Sequence, residues 1–178
     1  MKDTFKEIIS KDLFTIKSGR IILFKKIDYT MYPSRAFALN LQKIGEDFGV
    51  NFLFNLGYQT GIIHYEELLK VLSKLNKYLP QRLNSILFIM EMTGQGKLKI
   101  LKSEKDELRV TLANNPSILH SKKMYGHKSK ICNFYCGLYS AILSQQMNLT
   151  KLKFKEIKCI TKGDNVCEFL YQNGTRDI

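Results

Sequence analysis

Every cysteine of this chain, Cys132, Cys136, Cys159 and Cys167, lies in its last third, and Glu156 stands among them. Cys159 and Cys167 sit four residues to either side of Gly163, in the run Cys159-Ile160-Thr161-Lys162-Gly163-Asp164-Asn165-Val166-Cys167. A hairpin centred there makes the two cysteines cross-strand neighbours, with Cβ atoms about 5 Å apart. Glu156 precedes Cys159 by three residues, so strict alternation would put it on the other face of its strand. A bulge is required to aim both inward. Cys132 and Cys136, four apart, share one face of a helix before the hairpin, and either can complete a four-ligand set. Thiolates with one carboxylate in a tetrahedral arrangement favour Zn2+, and a site closed by four protein ligands is structural rather than hydrolytic. The alternative is a set of buried thiols without metal, since free cysteine is among the most buried residue types.

The rest of the chain reads as an ordinary globular domain of 178 residues, 44% hydrophobic and 25% charged. The start, Met1-Lys2-Asp3-Thr4-Phe5, has no signal-type apolar core, and runs such as Ile86 to Met90 are too short to span a bilayer. A cytoplasmic location without membrane insertion is expected, where clustered cysteines serve as ligands more often than as bridges. The net charge of +12 invites a nucleic-acid reading. Only five of the 28 basic residues are arginine, the better phosphate fork, and the lysines are spread along the whole chain. The densest basic stretch, Ser121 to Lys130, reads as a solvated loop, so nucleic acid is not the expected partner.

Ser18-Gly19 marks a turn, and Arg20 to Ile27 is a β-type run. Pro33 opens an amphipathic helix carrying Phe37, Leu41, Ile44, Phe48 and Phe52, and Gly45, Gly49, Gly57 and Gly61 punctuate this stretch, marking either a break or the close approach of another backbone. A second helix covers His64 to Tyr78 and is closed by Pro80. Leu83 to Met92 is ambiguous between helix and buried strand. Lys97 to Lys102 and Glu107 to Ala113 are strands, the second ended by Asn114-Asn115-Pro116-Ser117. Lys130 to Met147 is a helix, and Lys151 to Thr161 and Val166 to Gln172 form the final hairpin. This order predicts an α+β fold, a largely antiparallel sheet packed with helices. Residues 1–30 read as an N-terminal extension with a strand, and 31–178 as the domain proper.

Cys132-Asn133-Phe134-Tyr135-Cys136-Gly137, then Lys155-Glu156-Ile157-Lys158-Cys159, then Gly163-Asp164-Asn165-Val166-Cys167-Glu168-Phe169 together resemble the 4-vinyl reductase domain family. Leu56-Gly57-Tyr58-Gln59-Thr60-Gly61 and Leu112 to Ser117 look like its weaker landmarks, and the resemblance covers residues 35–172. The family includes a bacteriochlorophyll 4-vinyl reductase accessory protein and the sensor domains of phenol-responsive activators. Its members share a fold with trafficking-complex subunits and haem nitric-oxide-binding domains, and they commonly form homodimers. The resemblance implies structural zinc on Cys132, Glu156, Cys159 and Cys167. Cys132 is preferred because it stands five residues before Gly137, with Cys136 as its substitute.

It also implies a pocket for a small hydrophobic or aromatic ligand, with Phe134, Tyr135, Phe154, Phe169 and Tyr171 as candidate walls. The resulting expectation is a sensor or carrier domain, a homodimer that signals through a separate effector protein. An enzyme or accessory acting on tetrapyrrole vinyl groups, or an assembly scaffold, is the alternative. No nicotinamide or flavin motif supplies electrons for a reductase. Gly94-Gln95-Gly96-Lys97 lacks the spacing of a phosphate loop and reads as a turn. His64, His120 and His127 show no metal-type spacing, and the first is expected near a helix start.

Overall fold

The computed structural model describes residues 14–17, 20–23, 27–30, 32–75, 82–104, 107–149 and 152–172. The expected turn at Ser18-Gly19, the closing Pro80 and the turn residues Lys105 and Asp106 lie outside these. Three short strands, β1 (Phe14–Lys17), β2 (Arg20–Leu23) and β3 (Ile27–Tyr29), form an antiparallel meander where one β-type run was expected. Ile27 packs against the main core.

Helix α1 (Ser34–Phe48) follows Pro33, whose φ of −58° suits a helix start. It ends at Gly49, where φ is +87°. That conformation breaks the helix, and α2 (Val50–Leu75) restarts at once. The second helix therefore begins fourteen positions before the expected His64. Gly57 and Gly61 do not interrupt it, because they serve packing. A Cβ at Gly57 would stand 2.0 Å from the carbonyl oxygen of Phe134, and one at Gly61 would stand 2.5 Å from that of Leu138. Leu83 to Met92 resolves as helix α3 (Arg82–Met92).

A four-stranded antiparallel sheet of order β4-β5-β7-β6 backs the helices. It comprises β4 (Lys97–Ser103), β5 (Glu107–Ala113), β6 (Lys155–Lys158) and β7 (Cys167–Gln172). In β5 the buried Leu108, Val110 and Leu112 alternate with half-exposed neighbours, the pattern of a sheet with one face inward. Asn115 then caps α4 (Pro116–Tyr125), its Oδ1 accepting the N–H of Ile118 at 3.0 Å. Ser121 to Tyr125 of the basic stretch expected to be a loop thus belong to helix α4, and a 3-10 turn at Gly126–Lys128 follows.

Helix α5 (Ile131–Met147) runs through the middle of the domain, and all but Asn133 of its first fourteen residues are buried. A helix apolar all round is one covered on every side. The fold is α+β, as expected. The final hairpin is shorter than expected, because Leu152 and Phe154 leave strand geometry to plug the core. Ser140 Oγ accepts the N–H of Phe154 at 2.9 Å and holds that segment against α5.

Candidate metal centre and ligand cavity

The C-terminal knuckle places the ligand candidates by main-chain hydrogen bonding. Cys159 stands just past β6, and its N–H donates to Asp164 Oδ2 at 2.8 Å. Its carbonyl accepts from Lys162 N at 3.0 Å and Asp164 N at 3.1 Å, and Gly163 turns the chain with φ +112°. Opposite, Ile160 N–H points at Cys167 Sγ at 3.4 Å, and Cys159 Sγ meets Thr161 Oγ1 at 3.0 Å. The β6–β7 register shifts between Glu156 and Lys158. That irregularity removes the parity problem of a three-residue spacing, so Glu156 and Cys159 reach the same side.

Cys132 comes from the first turn of α5, which α1 fixes in place. Gln42 Oε1 accepts from Lys130 N at 2.9 Å, and Lys130 Nζ donates to the Gly45 carbonyl at 3.1 Å. Cys132 Sγ consequently lies 3.5 Å from Cys159 Sγ and 3.6 Å from Cys167 Sγ. One ligand atom each from Cys132, Glu156, Cys159 and Cys167 falls within 4.8 Å of all the others. Four ligands about 2.3 Å from one tetrahedral ion stand about 3.8 Å apart, so the cluster fits a metal. Cys136, one turn further along α5, instead donates its thiol to the Phe154 carbonyl at 3.1 Å.

The electrostatics of the cluster point the same way. Glu156 Oε1 is buried and has no hydrogen-bond partner, and Lys162 Nζ reaches only the other oxygen, at 3.9 Å. Burial, with the neighbouring Cys159, raises the Glu156 carboxyl to about 8. Hydrogen bonds from Cys132 and Cys167 push Cys159 down, whereas commitment of its proton to those partners pushes Cys132 up. Burial drives Cys136 up as well. A divalent cation would let several of these groups ionise together.

A cavity of about 370 Å³ opens on the other side of α5. Phe37 of α1, Thr60 and His64 of α2, and Phe134, Tyr135 and Leu138 of α5 form its walls. The turn Thr93-Gly94-Gln95 and the start of α4 at Pro116 and Ser117 complete it, with the exposed Thr30 and Tyr32 on the solvent side. Among the described residues, no Asp, Glu, Lys or Arg contributes to the lining.

Phe134 and Tyr135 are therefore cavity residues, while Phe154 and Phe169 do not line this cavity. A run of ring contacts explains the separation. Phe37, Phe134, Tyr135, Tyr139, Phe169 and Phe154 follow one another at centroid distances of 5.5–6.2 Å. The last two sit at the far end, buried between α5 and the sheet, and Tyr171 packs half-buried against the same core. Sequence reasoning missed His64 and Gln95. His64 lies in the middle of α2 rather than at a helix start, and burial lowers its pKa. Its Nε2 meets Gln95 Nε2 at 3.2 Å, and Gln95 Oε1 is buried without a partner. The one signal was the Gly-Gln-Gly turn, read only as a turn.

Fold and site define an α+β domain in which one central helix separates a thiol-rich metal-type cluster from a small cavity. No protein-family profile matches the chain, and no curated protein is significantly similar to it in sequence. Among solved structures it resembles the phenol-responsive sensory domain of the transcription activator PoxR, solved with phenol. The TM-score is 0.65 at 12% identity, over 97% of this chain and 89% of that one. It also resembles a trafficking protein particle complex subunit 3 from Naegleria fowleri covalently bound to palmitic acid. There the TM-score is 0.52 at 17% identity, over 78% of this chain and 93% of that one. At these identities the likeness is one of fold.

Proposed function

We propose that this chain is a small-molecule-binding domain of the 4-vinyl reductase type, acting as a sensor or carrier for a hydrophobic or aromatic compound. The observation that carries the reading is the cavity of about 370 Å³ in a fold shared with a sensory domain solved with phenol. Its volume lies at the small end of ligand sites, and its aromatic walls suit an apolar ring.

In this reading Cys132, Glu156, Cys159 and Cys167 hold a structural zinc, with Cys136 as a core thiol. Bound zinc supplies charge neutralisation and a cross-link between the first turn of α5 and the β6–β7 knuckle. The same turn of α5 carries Phe134 and Tyr135, so bracing it also fixes the cavity wall. Four protein ligands leave no open position for a reacting water, which supports a binding role over a hydrolytic one.

Two measurements on protein purified without added metal or chelator test this. Calorimetric titration with phenol is expected to show saturable binding, with a rise in melting temperature on addition. Metal analysis is expected to give about one zinc per chain, lost in Cys159→Ser together with thermal stability. No binding of phenol or of other small aromatic compounds would remove the sensor reading. Four reactive thiols and no metal in the purified protein would remove the zinc.

A further inference from the structure

We propose that the outward face of the β4-β5-β7-β6 sheet, continued around the C-terminal knuckle, docks the phosphate backbone of a nucleic-acid duplex without reading its sequence. Lysines scattered along the sequence argue against such a partner, but the strand register gathers them.

In β5 the buried Leu108, Val110 and Leu112 face the core, so Arg109, Thr111 and Ala113 point outward. Residues directly opposite one another on neighbouring strands share a face. Ala113 stands opposite Lys97, Thr111 opposite Lys99, and Arg109 opposite Lys102. On the other side Arg109 pairs with Leu170 and Thr111 with Glu168, and these stand opposite Lys155 and Lys158. Strict alternation from Lys99 and from Lys155 would turn Lys102 and Lys158 inward. Register shifts between Ile100 and Lys102 and between Glu156 and Lys158 return both to the outer face. Three strand spacings, about 14 Å, thus separate the lysines of β4 from those of β6 on one surface, with Arg109 between them.

The two carboxylates of this face are engaged within it. The buried Glu168 is shared by Lys158 Nζ at 2.8 Å and Arg109 Nη1 at 3.4 Å. Glu107 is shared by Lys102 Nζ at 3.3 Å and Arg109 Nη2 at 3.4 Å. Glu91 and Glu104 approach Lys97 and Lys102 from the rim. Lys99 and Lys155 are exposed and have no ion-pair partner among the described residues.

The positive surface continues past β6. The 3-10 turn Ile160–Lys162 packs against α4 and the Gly126–Lys128 turn, which carry the exposed Lys122, Lys123 and Lys128. No acidic residue stands in the sequence between Glu107 and Glu156. Asp164, at the knuckle, spends one carboxylate oxygen on the Cys159 N–H.

Charge of one sign along a strip that bends around the domain edge fits a linear polyanion. An acidic protein is a poorer fit, because protein interfaces anchor on central aromatic or apolar side chains. The outward strand positions hold no aromatic ring, and the exposed Leu101 and Ile157 stand on opposite edge strands rather than at the centre. The lack of rings also removes stacking on unpaired bases, which favours a duplex over a single strand. Lysine meets phosphate as a point charge, so base identity is not read.

The test is fluorescence anisotropy with labelled DNA duplexes of about 20 base pairs and two unrelated sequences, between about 50 and 200 mM salt. Both are expected to bind equally, in the micromolar range at the lowest salt, with log K falling linearly against log salt. Lys99→Gln/Lys155→Gln should reduce the steepness of that line by about two and weaken binding roughly tenfold at about 100 mM salt. Lys43→Gln/Lys70→Gln removes the same charge from α1 and α2, and should leave the slope unchanged and the affinity within about twofold. All four lysines are exposed, so neither variant threatens the fold. Equal losses in the two variants would reduce the binding to net charge and overturn the face. No binding at about 50 mM salt, or a clear preference between the two sequences, would overturn the proposal. Tighter binding of poly-glutamate would assign the face to an acidic protein instead, and tighter binding of a single strand would overturn the duplex.

Discussion

Cys132→Ser and Cys136→Ser should behave in opposite ways, although the two residues are one helical turn apart. The Cys132 sulfur stands 3.5 and 3.6 Å from those of Cys159 and Cys167, close to the edge of about 3.8 Å in a tetrahedral thiolate site. Cys136 points its thiol at the Phe154 carbonyl, 3.1 Å away. A metal that binds only the folded protein, at a free concentration about a hundredfold above its dissociation constant, adds about 2.7 kcal/mol of stability. In a domain of this size that is roughly 5–10 °C of melting temperature. Cys132→Ser should lose most of that increment and most of the bound metal. In Cys136→Ser the serine hydroxyl can donate to the same carbonyl. It should keep its full metal content and stay within about 1 kcal/mol of the unsubstituted protein. Metal content by atomic emission, beside thermal melts with and without chelator, reads both quantities. Loss of metal in Cys136→Ser with retention in Cys132→Ser would refute the assignment, and so would full retention in both.

Gly57→Ala and Gly137→Ala should each destabilise by about 3 kcal/mol or more in denaturant titration, because each new methyl falls 2.0 Å from a carbonyl oxygen of the facing helix. Gly49→Ala meets nothing within 4 Å and should cost only about 1 kcal/mol, for its φ of +87°. Asn115→Ala removes both the α4 cap and the bond to the Gln95 carbonyl, and should cost about 2 kcal/mol by the same titration. Burial holds His64 below its ordinary value of 6.5, so the unfolded chain takes up that proton first as pH falls. Stability should therefore decline as pH drops below about 6.5 toward the lowered folded value. His64→Gln should flatten that limb in melts recorded between about pH 7 and pH 5.

How much of this was legible depends on whether buried faces are made of residues that look buried. Helix α5 and strand β5 were, since Ile131, Phe134 and Leu138 or Leu108, Val110 and Leu112 repeat at helical and strand periods. The metal-type cluster was legible because its chemistry depends on residue types rare elsewhere in the chain. Helix α4 was not, because its buried face is Ser117, Ile118 and Ser121 while Leu119, Lys122 and Lys123 are outside. Two serines and one isoleucine give no apolar period, and the lysines on the wet face read as a loop. The first half of α2 was hidden for a related reason. Its inward positions run Leu53, Gly57, Gly61, Tyr65, Leu68 and Leu72, a helical period in which glycine stands where a large apolar residue was sought. Glycine's weak helix propensity suggests a break. Here the close approach of α5 outweighs it.

The cavity was the least legible part, because α1, α2, the turn at Gln95, α4 and α5 meet around it from separate stretches of sequence. Within α5 the assignments are nonetheless tightly ordered. Cys132 faces the knuckle, Phe134, Tyr135 and Leu138 line the cavity, and Gly137 meets the Phe54 carbonyl of α2. Three neighbours with different demands leave this helix no polar face, so hydrophobic periodicity alone cannot separate its sides. What separates them is residue chemistry: sulfur toward a metal-type cluster, rings toward a cavity, and a bare Cα where two backbones touch. Moving Cys132 or Gly137 by a single position would rotate it by about 100° away from the contact it serves. The spacing of Cys132, Phe134, Tyr135 and Gly137 is therefore a joint constraint from three interfaces, and the helix is more tightly specified than its uniform burial suggests.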